Sequence, residues 1–248
     1  MTIAATDAAP PSLLQVIDGT TVLSLLFFTS VLLSSYLSAK YFLPAGASSK
    51  TRFLYGWHVF DALIHVLFEV SFLYCSFFSS APTGLTGNSA AVLWGDLSRA
   101  YGAEYSTGLF GHLWKEYGKA DRRWAHADIG VIALEIPTGL IGGPLAWWIS
   151  ELIRKKDKRV WFWMLVLAVC ELYGGWMTFA PEWLTGSQNL DTSNPMYTWL
   201  YLFAMNITWV VIPVWICFEA YTEMVTKPNG RITTLDDDNA SGVGKKSL

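Results

Sequence analysis

Long runs of apolar residues, separated by short polar or charged segments, dominate the pattern of this chain. A helix needs about 20 mostly apolar residues to cross the ~30 Å hydrocarbon core of a bilayer. Five runs reach that length, at residues 22–43, 55–78, 126–150, 160–180 and 196–221. The pattern therefore predicts an all-α polytopic membrane protein that forms a bundle of five transmembrane helices.

The polar ends of the chain are distinct from this bundle, which occupies residues 22–221. Residues 1–21 contain no Lys or Arg. They lack the basic n-region of a cleaved signal peptide, so we expect the first span to stay as an anchor. Residues 222–248 are rich in Asp, Gly, Ser and Lys, a composition typical of a disordered tail. The sequence has no evident internal repeat or second domain.

Basic residues between the spans predict the orientation of the bundle. The connection after the first span carries Lys50 and Arg52, and the 151–159 connection carries five basic residues. Residues 1–21 and 181–195 carry none. By the positive-inside rule, the N-terminus is expected to be lumenal and the C-terminus cytoplasmic, as an odd number of spans requires.

The C-terminal end of the chain resembles a targeting signal. Lys245 and Lys246 lie near the C-terminus in the ending KKSL, which has the form of a dilysine retrieval signal of endoplasmic reticulum membrane proteins. Together with the expected cytoplasmic C-terminus, this ending predicts a multi-pass protein of the endoplasmic reticulum membrane. The alternative is that two solvated lysines lie on a polar tail.

The amino-acid composition limits the kinds of partner and cofactor that the protein is expected to bind. Hydrophobic residues make up 52% of the chain and charged residues 15%, against a typical ~25% charged, so the lipid bilayer is the expected surrounding. The net charge of −3 gives no basis for a nucleic-acid partner. The cysteines and histidines are scattered, and no flavin, nicotinamide or phosphate-loop motif is present, so neither a metal nor a cofactor is expected.

Ionisable residues inside the apolar runs are candidates for function, because each costs at least about 2.5–3.5 kcal/mol to insert. The second span carries Asp61, His65 and Glu69 at successive i, i+4 spacings, which places them on one helical stripe. A histidine and a carboxylate one turn apart can share a proton. Position alone leaves polar contacts between helices as an alternative, and Asp61 is close enough to the span end to reach interfacial water.

The third span places Glu135 in the middle of an apolar run, with Thr138 at i+3. A carboxyl group at that depth must be neutral or paired, and a neutral carboxylic acid is a competent proton donor. The glycines at 139, 142 and 143 predict a close approach between helices or a kink that opens a cavity.

The last two spans add further polar and aromatic candidates. Glu171 lies beside Tyr173 in the fourth span, and their role is open from position alone. Asn206 and Trp209 are one turn apart in the fifth span. Packing between helices would explain them, but an aromatic face can also stabilise a developing cation. Acids, a histidine and aromatic faces in one membrane-buried cavity are suited to shifting a double bond in a lipophilic molecule through a carbocation.

The chain resembles the emopamil-binding protein family, the sterol Δ8–Δ7 isomerases of the EXPERA-domain superfamily. The resemblance runs from about residue 57 to 213 and is carried by the order and spacing of several motifs. These are IHVLFE, LWKEYGKADRRW, ALEIPTGLIGGPLAWW, ELYG and AMNITWVVIP. It implies an enzyme of the endoplasmic reticulum whose sterol enters laterally from the bilayer, and which binds cationic amphiphilic amines that mimic the carbocation.

The resemblance also implies roles for individual residues. The family's functional positions fall on His65, Glu69, Glu135, Thr138, Asn206 and Trp209. Glu135 and the His65–Glu69 pair would donate and accept the proton in an order left open, Trp209 would face the cation, and Asn206 and Thr138 would orient the carboxyl groups. Asp61, Thr138, Glu171 and Tyr173 are the expected substrate contacts.

Several departures from the family pattern concern the substrate. Val70 replaces a small residue, Asp61 adds a carboxyl group, Gly175 stands where an acid is usual, and the 79–112 loop is long. A related enzyme that isomerises or cyclises a triterpenoid or meroterpenoid therefore stays an alternative, as does a non-catalytic sterol-binding protein. The small-residue face of the third span permits a homodimer without requiring one.

Overall fold

The computed structural model describes residues 16–83 and 93–226, in which six helices and one two-stranded sheet are formed. The termini, including the predicted tail signal at Lys245 and Lys246, lie outside the described residues. Five of the helices are long and apolar enough to cross a membrane, which confirms the predicted number of spans. The helices are α1 (Gly19–Phe42), α2 (Ser49–Phe78), α3 (Leu109–Gly118), α4 (Ile129–Arg154), α5 (Val160–Leu184) and α6 (Met196–Val225).

Polar residues at the edges of the apolar runs begin the helices. Asp18 accepts a hydrogen bond from the Thr21 backbone at 2.9 Å, and the Thr21 hydroxyl accepts one from the Asp18 backbone at 3.2 Å. This reciprocal capping box starts α1. Asp128 caps α4 in a similar way, since its Oδ1 accepts from the Val131 backbone at 3.0 Å. Such caps satisfy backbone donors that a helix start leaves free.

The segment between α2 and α4 is more structured than the long loop that the sequence indicated. Strands β1 (Ser80–Pro82) and β2 (Arg99–Tyr101) pair antiparallel, with Ala81 opposite Ala100. The amphipathic helix α3 then packs on the end of α2, where Trp114 Nε1 donates to Ser71 Oγ at 3.1 Å. The segment thus closes one end of the bundle.

Helix α2 lies in the centre of the bundle. Of its most apolar 18-residue stretch, 56% is buried, against 17% for the corresponding stretches of α1 and α6. Leu54 and Phe60 of α2 pack in one cluster with Ile149 of α4 and Trp161 and Met164 of α5. Apolar faces of the outer helices stay exposed, as expected for surfaces that contact lipid rather than water.

Helices α2 and α4 approach closely where each widens into a π-helical turn, at His65–Glu69 and Thr138–Gly142. A methyl group added at Gly143 would lie 3.0 Å from His65 Cβ, and one at Gly139 would lie 3.1 Å from Val70 Cγ2. The close approach predicted from the glycines is therefore confirmed. Because π-helical turns are frequent at functional sites, this crossing is a candidate position for the functional site.

Candidate active site

A cavity of about 640 Å³ lies inside the helix bundle, beside the α2–α4 crossing. This volume is within the ~300–1,000 Å³ typical of small-molecule sites, and the lining is largely apolar. The polar residues that line it come from all six helices: Ser24, His65, Glu69, Glu116, Tyr117, Glu135, Thr138, Glu171, Thr178, Tyr201 and Asn206. The cavity predicted inside the bundle is thus present.

His65 stands at the centre of the ionisable groups and is 2% exposed. Its Nδ1 lies 2.5 Å from Glu69 Oε2, one turn along α2. Glu135 of α4 lies on the same side of the imidazole, beside Glu69, and both carboxyl groups line the cavity. Two neighbouring carboxyl groups in an apolar cavity can share a proton, because two buried negative charges repel each other strongly. The structure therefore brings these three predicted site residues together at the cavity.

A second acid pair lies on the other side of the imidazole. His65 Nε2 is 3.2 Å from Asp61 Oδ1, an ion-pair contact without hydrogen-bond geometry. The Asp61 carboxyl lies beside Glu171 of α5. Asp61 is fully buried, so it does not reach interfacial water as its sequence position had allowed. Ligand atoms of Asp61, His65 and Glu171 all lie within 4.8 Å of one another, a spacing that could also hold a metal ion. The sequence did not indicate this grouping, because Glu171 is more than 100 positions from the other two residues.

Together these groups form a continuous chain, Glu135–Glu69–His65–Asp61–Glu171, across three helices. Glu135, Glu69, His65 and Glu171 line the cavity, whereas Asp61 lies behind them. His65 and Glu69 are hydrogen-bonded within this chain, and His65 Nε2 lies 3.2 Å from Asp61 Oδ1. Ionisable groups placed side by side in this way can exchange protons once their hydrogen bonds align. The arrangement can therefore both give a proton to and take a proton from a molecule in the cavity.

Trp209 is held in place by the same chain. Its Nε1 donates a hydrogen bond to Asp61 Oδ1 at 2.8 Å, and its ring packs 5.5 Å from the ring of Trp57 and 5.7 Å from that of Phe60. The indole also lines the cavity. These contacts fix the ring orientation beside the acids.

Asn206 and Thr138 line the cavity but do not orient carboxyl groups as predicted. Asn206 Nδ2 donates to Tyr117 Oη at 3.0 Å and to the Tyr201 carbonyl at 2.8 Å. Thr138 Oγ1 donates to the Leu134 carbonyl at 2.6 Å. Backbone carbonyls one turn back are the nearest acceptors for such side chains in a helix, which the sequence-based assignment of their roles did not consider.

Tyr173 does not lie at the site. Its side chain is 63% exposed on the outside of the bundle and does not line the cavity, which contradicts its assignment as a substrate contact. Because residues two positions apart on a helix face different sides, Tyr173 points away from the face that carries Glu171.

Glu116 and Tyr117 of α3, with Tyr201 of α6, are cavity residues that the sequence analysis did not single out. Glu116 Oε1 accepts hydrogen bonds from Thr21 Oγ1 at 2.9 Å and from Tyr201 Oη at 2.8 Å. Burial, with the nearby charge of Asp121, raises the pKa of the Tyr117 phenol well above its ordinary value. The phenol therefore stays neutral. In the sequence, these α3 residues belong to the run LWKEYGKADRRW. That the run lies against the cavity is evident only from the fold.

Comparison with known proteins relates this chain to a family. Residues 109–220 match the family model described as EBP, the EXPERA (expanded EBP) superfamily. Proteins named 3-beta-hydroxysteroid-Delta(8),Delta(7)-isomerase are similar, in rat (29% identical over 180 residues, 66% of this chain and 78% of the relative) and in guinea pig (30% over 123 residues). The guinea pig alignment covers 50% of this chain and 54% of that protein.

A differently named relative matches over a longer region. The protoglabretal synthase of Citrus sinensis is 24% identical over 227 residues, which cover 92% of this chain and 90% of that protein. The relatives thus include enzymes named as isomerases and as synthases. The family match covers α3 to α6. The protein named Probable 3-beta-hydroxysteroid-Delta(8),Delta(7)-isomerase in Arabidopsis thaliana is 30% identical over 173 residues, which cover 70% of this chain and 66% of that protein. The chain belongs to the emopamil-binding protein family of the EXPERA superfamily.

Proposed function

We propose that this protein is a sterol Δ8–Δ7 isomerase. The observation that carries the proposal is the chain of buried acids around His65, which opens on an apolar cavity of a size suited to one lipophilic molecule. The names of the mammalian relatives support a sterol substrate. The reaction needs only a proton donor, a proton acceptor and exclusion of water, and the cavity supplies each.

The proposed reaction moves one proton on to the substrate and another off it. An acid of the Glu135–Glu69–His65 group gives a proton to carbon 9, and the Δ8 π electrons form the new C9–H bond. A tertiary cation results at carbon 8. A base of the same group then removes a proton from carbon 7, and the C7–H electrons form the Δ7 double bond. The chain of acids ends with the same number of protons as at the start.

The surroundings of the acids stabilise the cation. The negative charge shared along the chain attracts it, and the face of the fixed Trp209 ring can add up to about 2 kcal/mol when water is excluded. A lipophilic ammonium ion would present a similar charge in the same place. Cationic amphiphilic amines should therefore bind in the cavity as inhibitors.

We further place the protein in the endoplasmic reticulum membrane, with a lumenal N-terminus and a cytoplasmic C-terminus. The basic residues in the α1–α2 connection and at 151–159 support this orientation. The dilysine-like ending at Lys245 and Lys246 supports the compartment. Protease protection of tags at the two termini of the membrane-inserted protein tests the orientation, and co-localisation with an endoplasmic reticulum marker tests the compartment.

A second candidate is isomerisation or cyclisation of another terpenoid. The near full-length match to the citrus synthase favours it, because that alignment covers both chains more completely than those with the two mammalian isomerases. The added carboxyl of Asp61 and the larger Val70 alter the surroundings of the acids. Both candidates use the same proton chemistry and differ in the substrate.

The test is an incubation of purified protein with a Δ8 sterol in deuterium oxide. A Δ7 product with one deuterium at carbon 9, lost in Glu135→Gln, is the expected result. Glu219→Gln is the matched control, since Glu219 pairs with Lys50 and does not line this cavity. An unchanged sterol from protein that binds it would overturn the sterol assignment. Conversion of a triterpenoid in parallel would then favour the second candidate.

A further inference from the structure

A second polar cluster faces the cavity, separate from the acids around His65. It is formed by Glu116, Tyr201 and Ser24, from α3, α6 and α1. Glu116 is 2% exposed, and its Oε1 accepts hydrogen bonds from Thr21 and Tyr201. We infer that this cluster is a subsite that binds the hydroxyl group of a polycyclic lipid substrate, and this inference rests on the proposed function.

The cluster retains unused hydrogen-bonding capacity. Oε2 of Glu116 contacts Lys119 Nζ at 2.7 Å as an ion pair, and a carboxylate oxygen can accept a second hydrogen bond beside that contact. The Ser24 hydroxyl is buried and has no hydrogen-bond partner among the described residues. Buried polar atoms are nearly always hydrogen-bonded. A carboxylate acceptor beside a hydroxyl donor and acceptor is suited to a ligand hydroxyl, which both donates and accepts.

The position of the cluster fits the shape of such a lipid. Thr21 and Ser24 lie in the first turns of α1, and Tyr201 lies early in α6, so the cluster is near one membrane interface. Trp209 is eight residues beyond Tyr201 on α6, a separation on the order of 10 Å along the helix axis. A hydroxylated polycyclic lipid keeps its hydroxyl at the interface and its rings in the hydrocarbon. It can therefore enter with its polar end at Glu116 and a ring double bond at the acids.

Glu116 also fastens α3 to the bundle, because its partners Thr21 and Tyr201 belong to α1 and α6. A purely structural role would affect every substrate to the same extent. Recognition of a hydroxyl would instead affect only substrates that carry one. This difference separates the two roles.

The experiment compares a 3β-hydroxy Δ8 sterol with its 3-deoxy counterpart in the full-length protein. The wild type should favour the hydroxyl compound by about 10- to 100-fold in KM or Kd, as expected for a hydrogen bond to a charged group. Glu116→Gln and Ser24→Ala should each reduce this preference and leave the constants for the 3-deoxy compound nearly unchanged. Ser24→Ala removes a hydroxyl without a partner among the described residues, so it should not disturb folding.

Asp18→Asn is the matched control. Asp18 belongs to the same ion cluster through Lys119 but does not line the cavity, and asparagine caps a helix as well as aspartate does. The Asp18→Asn variant should keep the full preference for the 3β-hydroxy sterol over the 3-deoxy compound. An undiminished preference in both Glu116→Gln and Ser24→Ala, or equal losses for both sterols, would overturn the subsite. If neither sterol is converted, the proposed reaction fails, and Kd values from tryptophan fluorescence still decide the subsite.

Discussion

The indole nitrogen of Trp209 donates a hydrogen bond to Asp61 Oδ1, although 148 positions separate the two residues in the chain. Asp61 also contacts the imidazole of His65 through the same oxygen, 3.2 Å from Nε2. The aromatic face and the proton-carrying chain are therefore positioned by one carboxylate. This relationship makes Asp61 part of the support of the site.

The shared carboxylate predicts coupling between Asp61 and Trp209. Asp61→Ala and Trp209→Phe should each lower kcat/KM, but the double variant should lose less than the sum, with a coupling of about 1–2 kcal/mol. Either substitution alone removes the hydrogen bond between Trp209 and Asp61, so the second substitution cannot remove it again. A double-mutant cycle based on kcat/KM measures the coupling energy. The pair Trp209→Phe and Glu219→Gln, about 15 Å apart along one helix, should be additive. Additivity in both cycles would contradict the coupling.

A lipophilic amine should compete with the substrate. Its ammonium group should lie beside the chain of acids, so a neutral carbon isostere should bind about tenfold more weakly, or about 1.4 kcal/mol. Glu135→Gln and Glu69→Gln should shrink the difference between amine and isostere. Competition binding with both ligands provides the measurement. Parallel losses for the amine and its isostere would show that the acids do not hold the charge.

The α2–α4 crossing predicts a large effect of a single methyl group. Gly143→Ala places a carbon 3.0 Å from His65 Cβ and should destabilise the protein by about 1–3 kcal/mol, because a packed crossing cannot expand without strain. Gly175→Ala is the control, since a methyl group there meets nothing within 4 Å. Melting temperatures in one detergent compare the two. Similar melting temperatures for both variants would mean that the crossing is not tightly packed.

A buried ion cluster between the segment after α3 and the end of α5 predicts another stability effect. Arg123 contacts Asp121 Oδ2 at 2.6 Å and the Thr178 carbonyl at 2.7 Å, and Glu182 lies 3.6 Å away. Asp121→Ala leaves the guanidinium without its main partner and should cost about 3–5 kcal/mol.

The control for this cluster is Asp157→Ala, which removes the half-buried partner of the exposed Arg159. Exposed ion pairs contribute little, so its unfolding should resemble that of the wild type. Chemical or thermal unfolding compares the variants. A mild effect of Asp121→Ala would show that water or another group takes over its contacts to Arg123.

The cap of α1 predicts an acid-dependent contribution to stability. The Thr21 backbone hydrogen bond, with help from Lys119, lowers the pKa of Asp18 to about 2 from 3.8. Because the pKa is lower in the folded state, the contribution is present above about pH 4 and is lost as the pH falls toward 2. Asp18 is largely exposed, so the effect is small and weakens with salt.

Melting temperatures of wild type and Asp18→Asn between pH 2 and pH 5 measure this contribution. The wild type should lose more stability than the variant over the lower part of that range, and the two curves should be parallel above it. Parallel curves over the whole range would exclude the contribution of Asp18.

The sequence alone determined the class of the protein, the number of spans and the central stripe of the site. In the hydrocarbon core, each apolar run must form a helix so that its backbone hydrogen-bonding groups are paired. The length of the apolar runs is therefore sufficient to count the spans. The i, i+4 spacing likewise placed His65 between Asp61 and Glu69, because both contacts lie within one helix.

Only the tertiary structure decided which groups meet across helices. It brought Glu135 to Glu69, Glu171 to Asp61 and Glu116 into the cavity wall, and it turned Tyr173 outward. These contacts depend on how the helices cross, and the crossing depends on where glycines permit approach and where helices widen into π turns. Such packing involves residues far apart in the chain, so local pattern and spacing do not specify it.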